Sequence, residues 1–159
     1  MGVKDNFTAE EWGSLLRAPM LAGYAVAGSA PSKQEDFVRE MAALADGIAE
    51  GERASQDTLL GAAVADIIAD AGDGQRGQTE KLSLQEVRGR ALETCRAAAA
   101  VLKAKADPAE AYEYKRWVLV VAERVASAAK EGGLFGFGGE QVSGAEVATI
   151  NDIGEAIEI

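Results

Sequence analysis

At five places along this 159-residue chain a Ser, Thr or Asp with Glu three positions later precedes an apolar pattern of helical period. The pairs are Thr8/Glu11, Ser32/Glu35, Ser83/Glu86, Asp107/Glu110 and Ser143/Glu146. In a capping box each side chain accepts a bond from the other residue's backbone N–H, which satisfies donors that the first helical turn leaves over. Pro108 follows Asp107 at the first helical position, where a missing N–H costs nothing. Three boxes carry a flanking apolar pair that would staple the chain: Phe7 with Trp12, Leu82 with Val87, and Val142 with Val147. One box is a weak signal, but five at plausible spacing predict an all-α chain. No run alternates β-branched with polar residues as a half-buried strand would.

The caps and the apolar periodicity predict six helices. The first runs from about Ala9 to Gly28, with a bend expected at Pro19, which removes one backbone bond and crowds the preceding turn. The second runs from about Lys33 to Arg53, with Phe37, Met41, Leu44 and Ile48 facing inward and Arg39 and Asp46 pointing away. The third, about Gln56 to Ala71, carries the stripe Leu59, Leu60, Ala63, Val64, Ile67, Ile68 and Ala71. The fourth, about Leu84 to Ala106, is rich in Ala. The fifth runs from Pro108 to about Glu131 and stops at Gly132-Gly133. The sixth runs from Gly144 to about Glu158. In the fifth, Trp117–Ala122 is apolar nearly all round, which marks a helix buried on several sides. It is expected to be central, packed by helices one, two, four and six. With 18 Gly and abundant Ala, helix axes can approach closely.

An offset of 77 residues places Phe37 on Tyr114, Arg39 on Arg116, Met41 on Val118, Leu44 on Val121 and Asp46 on Glu123. The reading is one helical domain, 1–159, built from two similar three-helix halves, 8–71 and 83–158. The Gly- and Gln-rich stretch 72–82 reads as a surface linker between them.

Composition closes several functional classes. The chain has no His and one Cys, so His-based catalysis, His-ligated metals and an intrachain disulfide are impossible. Its formal net charge of −10 repels phosphate backbones, and no basic patch offsets this, so no nucleic acid is expected as a partner. The apolar runs are far shorter than the roughly 20 residues that span a bilayer, so no membrane partner is expected. The start, Met1–Asn6, shows neither an apolar secretory region nor a myristoylation signal, and a cytoplasmic location is expected.

No catalytic constellation emerges and no cofactor is implied. Asp66 and Asp70 lie one turn apart on one helix face and Asp73 follows; together they form a candidate site for a hard cation, set against a solvated flank of the third helix. Cys95 falls on the stripe Val87, Ala91, Cys95, Ala98 and Leu102, which reads as core rather than as a nucleophile. Arg116 and Glu123 lie on the helix expected to be buried, where a polar seam to another helix or protomer competes with plain solvation. The least ordinary stretch is 132–139, with five glycines and two phenylalanines in eight residues. It follows a helix rather than a strand and no Lys-Ser/Thr pair follows it, which argues against a phosphate-binding loop. Its aromatic residues either plug the bundle or face a partner.

Glu11-Trp12, Leu15 and Ala18-Pro19 near the start resemble a group of uncharacterised bacterial all-helical proteins. So does Tyr114-Lys115-x-Trp117, running on to Lys130-Glu131-Gly132-Gly133-Leu134-Phe135-Gly136-Phe137-Gly138-Gly139, Val142-Ser143 and Glu146. The resemblance implies a bacterial source and lends no activity and no site residue. The leading expectation is a non-enzymatic binding or interaction protein, with Phe135, Gly136, Phe137, Gly138 and Gly139 as the contact surface for a protein or small ligand. The alternative is a carboxylate-based metal-binding or metal-dependent bundle. An apolar ligand held between the halves is a third reading, and a homo-oligomer is open.

Overall fold

The computed structural model describes residues 2–29, 34–72, 83–131 and 144–159. Six α-helices account for nearly all of them: α1 (Ala9–Ala27), α2 (Gln34–Glu50), α3 (Leu59–Gly72), α4 (Leu84–Lys105), α5 (Pro108–Glu131) and α6 (Gly144–Ala156). Short 3-10 turns at Val3–Asn6 and Gly51–Arg53 complete the set, and no strand occurs among the described residues. The chain is an all-α bundle of six helices. No helix among the described residues is long and apolar enough to cross a membrane.

Two caps form reciprocally. Thr8 Oγ1 accepts from the Glu11 N–H (3.2 Å), and Glu11 Oε2 accepts from the Thr8 N–H (2.8 Å). The Ser83/Glu86 box closes in the same way, and Phe7 stacks obliquely on Trp12 with ring centres 5.6 Å apart. Asp107 behaves differently. Its carboxylate accepts from the Ala109 N–H (2.9 Å) and the Glu110 N–H (3.4 Å), as half of the box requires, but the Glu110 carboxylate accepts from the Leu59 N–H (3.2 Å). Glu110 thus satisfies an end donor of α3, across 51 residues of sequence. Ser32 and Ser143, together with the 73–82 part of the linker, lie outside the described residues.

Several boundaries differ from the sequence reading. The α-helix of α2 ends at Glu50 and tightens into the 3-10 turn, rather than running to Arg53. α3 begins at Leu59, not Gln56, because Thr58 takes the capping place and its Oγ1 accepts from the Gly61 N–H (3.2 Å). α6 ends at Ala156, and Glu158 adopts a left-handed conformation with φ 61°.

α5 packs against each of the other five helices, and so does α1, so the two share the centre of the bundle. Tyr114, Val118, Val121, Ala122 and Val125 are fully buried, and Trp117 nearly so. α5 is not apolar to its neighbours all round, however: Leu119 and Val120 are half-buried, and Arg116 and Glu123 are exposed. α1 packs on α4 and α2 on α5, each pair joining helices that the 77-residue offset would equate. α5 also packs extensively along α1, whereas α2 makes little contact with α4, so the two halves do not surround the core alike.

Pro19 sits inside α1 and is buried. It cannot donate to the Leu15 carbonyl four residues earlier. The Tyr114 hydroxyl donates to that carbonyl instead, at 2.5 Å and in a buried setting. A proline in one helix and a tyrosine in another therefore form one device. Gly47 lets α2 lie close against α5: a Cβ there would stand 3.3 Å from the Val121 Cα. The Trp117 indole N–H donates to the Gly47 carbonyl at 3.1 Å, where α2 is ending.

Candidate functional site

The contact surface expected from sequence, Phe135, Gly136, Phe137, Gly138 and Gly139, lies outside the described residues. Its two anchors, the end of α5 and the start of α6, are described. α2 runs antiparallel to α5, since Gly51 lies against Trp117 and Gly47 against Val121 and Arg124. The first turns of α2 therefore lie beside the last turns of α5. Glu40 of α2 also interacts electrostatically with Glu146 of α6, which brings the start of α6 to the same end of the bundle.

That end has two unusual properties. The first is a pair of buried carboxyl groups: Glu40 is 2% exposed and Glu146 5%. Glu40 Oε2 has no hydrogen-bond partner among the described residues. Burial, then the nearby Glu146 and Asp36 charges, pushes the Glu40 carboxyl up to about 7. The second is a set of exposed apolar side chains. Phe37 and Val38 on α2 are 49% and 62% exposed, and Val147 on α6 is 45% exposed.

Neither property was read from the sequence, and the α2 share of each, buried Glu40 and exposed Phe37, follows from one rotation of α2. The expected inward face was Phe37, Met41, Leu44 and Ile48. The observed one is Glu40, Leu44, Gly47 and Ile48, which leaves Met41 half-buried and Phe37 outside. Small residues guide this choice. Leu44 sits against Gly23 of α1 and Gly47 against α5, so α2 turns its narrow side to the bundle. The legible signal was that Glu40 stands four residues before Leu44 and seven before Gly47, on one helical stripe.

The candidate metal residues are not assembled. Asp66 Oδ2 accepts from Lys4 Nζ (2.7 Å) and from the Trp12 indole N–H (2.8 Å). Burial pushes this carboxyl up, but those two hydrogen bonds outweigh it and hold it below its ordinary value. Asp70 is exposed and Asp73 lies outside the described residues. Among the described residues, no group of three or more His, Cys, Asp or Glu is arranged to hold a metal ion.

Cys95 is fully buried on the core stripe, and burial pushes its thiol up to about 12, so almost no thiolate exists near neutral pH. Arg39 and Asp46 are exposed, and Arg39 lies 3.5 Å from Asp36. Arg116 and Glu123 are exposed too, which removes the reason to seek a buried partner for them. An open groove of about 800 Å³ runs between α4 and α6, lined by Arg96, Ala99, Ala100, Lys103, Glu155 and Ala156 among others. Both its walls belong to the second expected half, so it is not a chamber between the halves.

A scan against protein-family models finds no match, and searches of curated proteins and of solved structures find no significant similarity.

Proposed function

We propose that the protein is a non-enzymatic binding or interaction protein, and that its contact surface is the end of the bundle where α2 and α6 begin. The observation that carries this reading is the exposure of Phe37, Val38 and Val147 on those first turns. Large apolar side chains grouped on a surface favour a partner that removes them from water, at roughly 25 cal/mol per Å² of apolar area. Segment 132–143 joins α5 to α6 at this end by chain connectivity, so Phe135 and Phe137 are offered as further contacts. A bacterial, cytoplasmic setting belongs to the same reading and rests on the sequence.

The Asp66, Asp70 and Asp73 metal reading gains no support from the geometry, because the best placed of these carboxylates already serves Lys4 and Trp12. The test of the interaction reading is capture from a lysate of the source organism with tagged wild-type protein and with the variant F37S/V38S/V147S. All three side chains are exposed, so the variant is expected to fold. Wild type should retain a discrete species that the folded variant loses. The same captured set for both would overturn the proposal.

A further inference from the structure

α2 is an edge helix that packs mainly on α5 and more lightly on α1 and α3. Its opposite side is open. Val38 is 62% exposed, and Ala42, Ala45 and Ala49 are exposed as well. These four follow one another at spacings of four, three and four residues. That alternation keeps one stripe of a helix facing a second helix over successive turns. Met41, half-buried, borders the stripe on one side. On the other side Arg39 and Asp46 each directly follow a stripe residue, so they hold equivalent places on the same flank, two turns apart. Both are exposed. A row of alanines does not choose a partner, but the charges beside it do. Two antiparallel helices related by a two-fold axis bring the same flank of each together, so that flank must complement itself. Arg39 and Asp46 do this: Arg39 meets the partner's Asp46, and Asp46 meets the partner's Arg39. The other flank opposes Met41 to the partner's Met41, with no like charges facing. A parallel pair would instead set the charged flank against the Met41 flank, which carries no charge to match it.

We propose that the outer face of α2 docks a second copy of this chain, seated antiparallel, with Val38, Ala42, Ala45 and Ala49 as the buried stripe and Arg39 and Asp46 as reciprocal ion pairs across it. The small side chains let the two axes approach toward the short end of the usual range of about 8–10 Å. Arg39 lies 3.5 Å from Asp36 in its own helix, an exposed contact that it gives up at little cost. From Val38 to Ala49 the stripe runs about 17 Å. The interface is therefore small, and the dimer forms and separates with concentration rather than being permanent. Each copy carries a net charge of −10, and this repulsion is screened beyond about 8 Å at physiological salt. The seam shares only Val38 with the surface at the start of α2 and α6, and it does not rest on that reading.

The test uses the purified full chain, without lysate, in sedimentation velocity over a concentration series at physiological salt. Wild type should pass from monomer to dimer as its concentration rises. A45E puts a charged side chain in the middle of the stripe, at an exposed helical position, and should stay monomeric. R39D and D46R should each weaken self-association about tenfold, since each opposes like charges in both symmetric pairs. Mixed together, R39D and D46R should form a heterodimer about as tight as the wild-type dimer, because each supplies the sign that the other lacks. Circular dichroism checks that every variant keeps its helix content. A wild type that stays monomeric at every concentration, a dimer that A45E leaves intact, or a mixture of R39D and D46R that associates no better than either alone would overturn the seam. Each of these results leaves the surface of Phe37 and Val147 to be decided by its own capture experiment.

Discussion

Replacing Tyr114 by Phe removes one oxygen atom, which isolates the link between α5 and the proline in α1. The hydroxyl is buried and donates to the Leu15 carbonyl at 2.5 Å. That carbonyl has no helical donor, because residue 19 is proline. Y114F therefore leaves a buried acceptor unsatisfied, which costs about 1–2 kcal/mol. For a chain of this length that amounts to a fall of roughly 3–6 °C in Tm. The companion change P19A restores an N–H four residues after Leu15, so the carbonyl regains a helical donor. In the P19A background, Y114F should then cost about 1 kcal/mol less than in wild type. The four proteins of the cycle would be unfolded in urea, with midpoints and slopes compared. If Y114F costs the same with and without Pro19, the proposed pairing of hydroxyl and freed carbonyl is wrong.

Other consequences follow from single positions. Glu40 binds a proton more tightly in the folded chain than its ordinary 4.5 allows. Its contribution is therefore fully present below pH 4.5 and is lost as pH rises through about 7. The full shift is worth about 3 kcal/mol at most. E40Q should thus exceed wild type by up to that amount at pH 8 and match it at pH 5, as read by urea unfolding at each pH; no difference at pH 8 would contradict the burial argument. G61A should cost more than 2 kcal/mol, because an added Cβ would lie 2.1 Å from the Ser55 carbonyl oxygen, where backbone must move; a variant as stable as wild type would refute that tight approach. Magnesium, calcium and manganese should leave Tm unchanged, since Asp66 is engaged by Lys4 and Trp12; an upward shift of several degrees would reopen the carboxylate metal reading.

Much of the fold was legible because helix ends speak through local chemistry. Thr8/Glu11 and Ser83/Glu86 cap as their spacing implies, and Leu59, Leu60, Ala63, Val64 and Ile67 face the core, though Ile68 and Ala71 of the same expected stripe are exposed. The misreadings share a cause: each depends on a neighbour distant in sequence. Glu110 looked like half of a local box, yet it reaches across to α3. Pro19 was legible as a break in the hydrogen-bond ladder, but not that Tyr114 satisfies the carbonyl it frees. α2 was oriented by its largest apolar residues, whereas Gly23 and Gly47 let it pack along a narrower face, which expels Phe37 and draws in Glu40. The candidate surface was therefore only half legible. The Gly/Phe segment drew attention to one end of the bundle, but buried Glu40 and exposed Phe37 emerge only from the packing of α2.

The central claim is that this end of the bundle meets a partner. The most direct measurement places a photo-crosslinking residue at position 37, at 135 or at 112, in otherwise wild-type protein exposed to the source lysate. Tyr112 is also exposed, near the start of α5 at the opposite end, and serves as the control. The account predicts the same crosslinked species from positions 37 and 135 and none from 112. Crosslinking confined to 112, or equal and nonspecific at all three, would contradict it.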